Sequence, residues 1–187
     1  MALIGRGEVG QVIHDRNSDR VIKITNAETV QREKRAAAIL SLPLVDPDQR
    51  YTIYGTEFTD TTLTMPFGGD TIVNVIDAEW YIRFIKDPNA VRKAVTRIKG
   101  INLAALEESL SELIAWMPTL HGSRSGIANS DITPSNIVWN GSRVRIIDWE
   151  KAVFAGEAEF DRAAHNDMLE LTTMQRQIQM LRSHLNA

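Results

Sequence analysis

The chain has 187 residues, a hydrophobic fraction of 43%, a charged fraction of 24% and a formal net charge of -3. These values are typical of a globular protein with a buried core, and they argue against a disordered chain and against electrostatic binding of nucleic acid or anionic membranes. Cysteine is absent from the sequence, which excludes disulfides and thiolate zinc sites. The four histidines are scattered, which argues against a metal held mainly by imidazoles. Because no apolar run is long enough for a membrane span and no secretory signal is recognisable, we expect a cytoplasmic protein.

The first part of the chain reads as short strands separated by turns. We expect strands at four places, namely residues 9–14, 20–24, 51–56 and 61–65. Between the second and third of these, residues 27–42 are rich in alanine and long side chains. This composition predicts a helix, and Asn26 is placed to cap its N-terminus.

Helical patterns dominate the rest of the chain. Apolar residues recur every three or four positions over residues 103–120, which predicts a helix with one buried face, and a last helix is expected over 157–185. Short strands over 137–139 and 144–147 flank Asn140-Gly141, a strong hairpin signal. We expect packing in the core or between the two lobes for three tryptophans, Trp80, Trp116 and Trp139. The fold class is therefore α+β, with a small β-rich lobe over residues 1–68 and a mainly helical lobe over 69–187.

Two N-terminal features suggest a phosphate site. Gly5, Gly7, Gly10 and Val12 form the pattern GxGxxGxV, and glycines let backbone N–H groups approach phosphate oxygens closely. The alternative is a glycine-rich hairpin without a ligand. Lys23, on the next predicted strand, could neutralise phosphate charge, although an edge lysine with a packed stem would look the same in sequence.

A second cluster of residues is more specific. Asp131 and Asn136 stand five positions apart, and Asp148 follows two predicted strands later. A phosphoryl-transfer site needs one carboxylate to orient the attacking hydroxyl, and an amide and a second carboxylate to hold Mg²⁺. The alternative is a pair of turns capped by Asp and Asn, which leaves the N-terminal pattern unexplained.

In this order the motifs resemble those of the protein-kinase-like superfamily over nearly the whole chain. The resemblance implies a bilobal protein-kinase-like fold, with a small antiparallel β lobe that binds ATP and a truncated helical lobe that carries the catalytic loop and the Mg²⁺-binding motif. It implies catalytic roles for Asp131, Lys23, Asn136 and Asp148, with Asn136 and Asp148 as ligands of Mg²⁺. It also implies that ATP is bound by Gly5, Gly7, Gly10, Val12, Lys23, Glu33, Met65, Pro66 and Gly68.

Within this resemblance, Met65, Pro66 and Gly68 correspond to the hinge that meets the adenine. Glu33 corresponds to the helix glutamate that pairs with the lysine, and Glu28 is the alternative. Asp167 corresponds to the buried aspartate that supports the catalytic loop.

The sequence departs from the family pattern at several positions. Asn129 and Ser130 stand where histidine and arginine are usual. Thr133 replaces a lysine that is often found two residues after the catalytic aspartate, so part of the neutralisation of the γ-phosphate must come from elsewhere or is lost. The motif Asp148-Trp149-Glu150 lacks the usual glycine and resembles the aminoglycoside and choline phosphotransferases.

Three functions are compatible with this pattern. The first is a minimal protein kinase that transfers the γ-phosphate of ATP to a Ser or Thr hydroxyl of a protein; phage and bacterial effector kinases have this size, and the host cytosol would then be its location. The second is a small-molecule kinase of the aminoglycoside or choline type. The third is a pseudokinase that acts as a protein-binding module. None of the three predicts nucleic acid or a membrane as a partner.

Overall fold

A computed structural model describes residues 10–122 and 126–186, and the backbone of residues 2–6. Within these ranges the chain is mixed α+β, with five helices and three small antiparallel sheets. This confirms the α+β class. None of the helices in the described ranges combines the length and the apolar character that crossing a membrane requires.

The largest sheet is built from the N-terminal part of the chain. Its strands are β1 (Ala2–Arg6), β2 (Gln11–Asp15), β3 (Arg20–Ile24), β4 (Glu57–Phe58) and β5 (Thr62–Pro66). They lie in the order β1-β2-β3-β5-β4, so β3 is central and is paired on both sides. Lys23 on β3 lies opposite Val12 on β2 and Leu63 on β5.

The prediction of a strand over residues 51–56 is wrong. Only Thr52 forms an isolated parallel bridge, with Ile146. One cause is local, because the buried carboxylate of Asp46 accepts hydrogen bonds from the backbone N–H groups of Tyr51 (3.0 Å) and Thr52 (2.8 Å). These donors are therefore not available to a neighbouring strand.

The first helix, α1 (Ala27–Leu40), carries Glu33 to the sheet. The side chain of Asn26 accepts a hydrogen bond from the Thr29 backbone N–H at 2.8 Å, so the predicted cap is confirmed. The helix ends two residues earlier than expected. Its buried face includes Val30, Glu33 and Leu40.

The remaining helices form the main core. They are α2 (Val73–Phe84), α3 (Pro88–Arg97), α4 (Leu103–Gly122) and α5 (Phe160–Leu185). The buried face of α4 follows the predicted three- and four-residue spacing, through Leu106, Leu110, Leu113, Met117 and Leu120. It packs along α5. Trp116 and Trp139 pack against this core, but Trp80 is 47% exposed because α2 turns its opposite face, with Val75 and Ala78, inward.

Two small sheets bring the loops of the site together. The predicted hairpin is confirmed as β8 (Ile137–Trp139) and β9 (Val144–Ile146), and β6 (Asp70–Thr71) adds to β8. The other sheet pairs β7 (Ile127–Ala128) with β10 (Val153–Phe154). Because β7 pairs with β10 and β8 pairs with β9, the loop from β7 to β8 runs beside the loop from β9 to β10. The first loop carries Asp131 and Asn136, and the second carries Asp148.

Candidate active site

Lys23 lies at the centre of a buried charged cluster. Its side chain is 9% exposed, and its Nζ lies 2.7 Å from Asp148 Oδ1, 2.9 Å from Glu150 Oε2 and 3.3 Å from Glu33 Oε1. The three carboxylates come from α1 and from the loop after β9. One ammonium group is therefore shared by three acidic side chains that come from two segments far apart in sequence.

Burial and charge act in opposite directions in this cluster. Burial alone would lower the pKa of Lys23, but the charges of Glu33 and Asp148 outweigh it and hold that pKa above its ordinary value. Burial raises the pKa of Glu33 to about 7, against the opposing effect of Lys23. Among the residues that the structure describes, Glu33 Oε2 has no hydrogen-bond partner. Lys23 is therefore charged near neutral pH, whereas Glu33 titrates there.

A buried aspartate on α5 holds the loop that carries Asp131. Asp167, which is 1% exposed, accepts hydrogen bonds from the backbone N–H groups of Asn129 at 2.7 Å and Ser130 at 3.0 Å. Asn129 Nδ2 donates to the backbone oxygen of Asp148 at 2.8 Å, and Asn129 Oδ1 accepts from the backbone N–H of Asp131 at 3.1 Å. Asn129 therefore ties the two loops of the site to each other.

The backbone is strained at two positions in these loops. Ser130 has a φ of 67° and Asp148 a φ of 63°, both in the left-handed region that costs a residue with a side chain on the order of 1 kcal/mol. Each strained residue is held by one of the hydrogen bonds just described, from Asp167 or from Asn129. The surrounding structure thus fixes the direction in which Asp148 leaves β9.

Asp131 lies in a more open environment. Asn136 Nδ2 donates to its backbone oxygen at 2.9 Å and to its carboxylate Oδ2 at 3.4 Å. Lys151 Nζ lies 3.1 Å from the same Oδ2. The side chain of Asp131 is 32% exposed and that of Lys151 is 55% exposed, so this ion pair faces solvent.

An apolar cavity of about 130 Å³ adjoins Lys23 and Asp148. Its remaining wall consists of Val12, Val21, Met65, Pro66, Phe67, Gly68, Gly69, Thr71, Val138 and Ile147. A Cβ at position 68 would collide with the side chains of Ile53 and Val138, so a larger residue at Gly68 would force these cavity-wall side chains to shift. A cavity with mainly apolar walls and a few charged groups at one end is typical of a small-ligand site, and here the charged end carries the Lys23 ammonium group together with the carboxylates that it contacts.

Most of the residues singled out in the sequence come together at this site. The cavity is lined by Val12, Lys23, Met65, Pro66, Gly68 and Asp148. Glu33 touches Lys23, whereas the alternative, Glu28, is exposed on the first turn of α1. Asp131 and Asn136 touch each other in the neighbouring loop.

The glycine-rich segment is described only in part. Gly5 pairs with Val12 between β1 and β2. Gly10 lies so close to the backbone oxygen of Ile24 that no Cβ could be accommodated there. Gly7 lies outside the described residues.

Sequence reasoning missed Glu150 and Lys151 as members of the site. The position of Glu150, two residues after Asp148, was a signal for a second carboxylate, but the sequence does not indicate that it turns to Lys23. It also missed the cavity walls formed by Val138 and Ile147. The available signal was their place in the sequence, since Val138 lies on β8 shortly after Asn136 and Ile147 lies between the end of β9 and Asp148.

The side-chain oxygens of Asn136 and Asp148 suit Mg²⁺, which needs few protein ligands, better than they suit a metal whose ligands all come from the protein. Asn136 and Asp148 offer an amide and a carboxylate oxygen, and the Asp148 side chain is 31% exposed. No group of three or more His, Asp or Glu side chains suited to a metal ion occurs in the described part of the chain. Mg²⁺ commonly takes one or two protein oxygens and completes its shell with water and phosphate oxygens.

Comparison with known proteins does not assign a family, since no protein-family model matches the chain and no curated protein matches it at a significant level. A functional interpretation therefore depends on the geometry of the site and on the order of the motifs.

Proposed function

We propose that this protein is an ATP-dependent phosphotransferase of the protein-kinase-like superfamily, and that its acceptor is a Ser or Thr hydroxyl of a protein. One observation carries the proposal: Lys23 Nζ contacts Glu33 and Asp148 at the charged end of an apolar cavity whose wall includes Met65, Pro66 and Gly68. Such a cation can neutralise phosphates while the apolar wall receives the adenine. In this proposal residues 1–68 and 69–187 form the two lobes of a kinase-like fold.

The chain's own residues would act mainly by positioning. A bond forms between the acceptor hydroxyl oxygen and the γ-phosphorus, the bond from that phosphorus to the β–γ bridging oxygen breaks, and ADP leaves with this oxygen. Asp131 aligns the hydroxyl and accepts its proton, which then passes to solvent. Phosphoryl transfer demands little base strength, so the position of Asp131 matters more than its basicity. Asn136 and Asp148 would hold Mg²⁺, which neutralises phosphate charge when bound.

The exposure of Asp131 supports a protein acceptor. The apolar cavity reaches Asp148 but does not include Asp131, whose carboxylate is one-third exposed beside the exposed Lys151. A hydroxyl on the surface of a polypeptide can approach such an open carboxylate. Kinases of small molecules, by contrast, need a pocket that encloses the acceptor.

Glu150 favours a second candidate, a small-molecule kinase. It occupies the third position of the motif that resembles the aminoglycoside and choline phosphotransferases, and its carboxylate contacts Lys23 at 2.9 Å. The third candidate, an inactive binding module, is favoured by the fact that phosphates would have to compete with three carboxylates for Lys23.

Transfer of labelled γ-phosphate from Mg·ATP in a bacterial lysate tests these candidates. We expect label on protein bands with the wild type, and a loss of at least about 100-fold with Asp148→Asn or Asp131→Ala, since each removes a group that acts on the reacting phosphate or hydroxyl. The matched control is Asp77→Asn, which changes an exposed aspartate on α2 and should transfer normally.

The distribution of the label decides among the candidates. Label confined to the small-molecule fraction would replace the protein acceptor with a small one. If Asp148→Asn keeps normal turnover, or if neither fraction differs from the variants, the phosphotransferase proposal is wrong.

A further inference from the structure

The loop that carries Asp131 has no cation of its own. No lysine, arginine or histidine occurs between Gly126 and Ser142. The hydroxyl groups of Thr133 and Ser135 hydrogen-bond to each other at 2.7 Å. Transfer of a phosphoryl group nevertheless requires positive charge near the oxygens of that group.

Lys151 reaches Asp131 from a different segment of the chain, with 3.1 Å between Nζ and Oδ2. A tight turn after β9 sets its position. Trp149 is fully buried, the backbone N–H of Ala152 donates to the backbone oxygen of Trp149 at 3.1 Å, and Arg32 on α1 donates to the backbone oxygen of Ala152 at 3.0 Å. The backbone is therefore anchored on both sides of Lys151 while the side chain stays exposed.

Two consecutive residues of this turn contact the two charged groups of the site, Lys23 and Asp131. Glu150 contacts Lys23, and Lys151 contacts Asp131. The charge of Lys23 is already shared by three carboxylates, so the site holds more acidic groups than ammonium groups. An ion pair as exposed as the one between Lys151 and Asp131 contributes little to folding stability.

We propose that Lys151 binds the γ-phosphate of ATP and supplies the cation that is missing at Thr133. This inference rests on the proposed function and adds a residue to it. The ammonium would contact an oxygen of the γ-phosphate while Asp131 holds the acceptor hydroxyl. Because ADP lacks the γ-phosphate, Lys151 would strengthen the binding of ATP and leave the binding of ADP unchanged.

Calorimetric titration with two nucleotides tests this role without any need for the acceptor. The probes are the Mg²⁺ complexes of ADP and of the β,γ-imido analogue of ATP. We expect Lys151→Met to lose about tenfold in affinity for the ATP analogue, the size typical of a hydrogen bond to a charged group, and less than about twofold for ADP. Lys151→Arg should retain most of the preference for the ATP analogue.

Two further variants separate a phosphate contact from a structural effect. Lys34→Met removes an exposed lysine from α1 and should leave both affinities unchanged. Thr133→Lys, added to Lys151→Met, should restore the preference for the ATP analogue, which a lost structural contact would not do.

The outcomes distinguish this inference from the function on which it rests. If the wild type binds both nucleotides and Lys151→Met keeps the same ratio of affinities, or loses both equally, Lys151 does not contact the γ-phosphate and the proposed function stands. If the wild type binds neither nucleotide, the proposed function fails and the role of Lys151 fails with it.

Discussion

Two lysine–carboxylate groups lie side by side in the candidate site, and they differ in solvent exposure. The Lys23 side chain is 9% exposed and contacts three carboxylates, whereas the Lys151 side chain is 55% exposed and contacts the carboxylate of Asp131. Buried charges are costly unless paired, while exposed pairs are screened by water. The buried contacts therefore link Lys23 to the stability and pH dependence of the whole protein, whereas the exposed contact of Lys151 adds little to stability.

The largest effect is expected when the buried cation is removed. Lys23→Met should lower the free energy of unfolding by about 2–4 kcal/mol at about pH 8, because Glu33, Asp148 and Glu150 lose their shared partner. Urea denaturation followed by circular dichroism measures this. Lys34→Met is the matched control. If both variants are as stable as the wild type, the prediction is wrong, and the carboxylates around Lys23 are solvated well enough to do without it.

The second effect is a pH dependence that comes from Glu33. Its pKa is about 7 in the folded state and 4.5 ordinarily, so the folded protein binds more protons between these values. The free energy of unfolding should therefore fall by on the order of 2 kcal/mol as pH rises from about 4.5 to about 7. The charged groups that face Glu33 are Lys23 and Asp148, and Lys23 keeps its charge over this range.

Glu33→Gln removes this titration. Relative to the wild type, the variant should gain stability as pH rises through the same window, and the difference should be constant above it. Denaturation curves at a series of pH values provide the measurement. Parallel pH profiles for the two proteins would mean that Glu33 is ionised with an ordinary pKa.

The smallest effect is expected at the exposed pair. Lys151→Met should change the free energy of unfolding by less than about 0.5 kcal/mol, because an exposed ion pair is screened by solvent. Thermal denaturation of Lys151→Met measures this change, with Lys34→Met as the control variant. A loss well above about 1 kcal/mol would remove the contrast between the two groups and give Lys151 a structural role.

Several elements could be predicted because their causes are local. The Asn26 cap, the Asn140-Gly141 hairpin and the buried stripe of α4 all depend on residues within a few positions of one another. The α+β class follows from the order of such elements. The contact between Lys23 and Glu33, by contrast, was expected from the resemblance to protein kinases, since no local pattern connects a strand lysine to a helix glutamate.

Tertiary structure decided the rest. Residues 51–56 have strand-like composition, but the Asp46 carboxylate takes the backbone donors of Tyr51 and Thr52, and the N–H group of Ile53 bonds to the backbone oxygen of the distant Ile146. Trp80 has the size of a core residue, but α2 packs with its other face. The contacts of Lys23 with Glu150 and of Lys151 with Asp131 join segments that are far apart in the sequence. The sequence alone determined the local elements and the inventory of charged groups. Which charges are paired, and which pairs are buried, depends on packing between distant segments, and no local pattern carries that information.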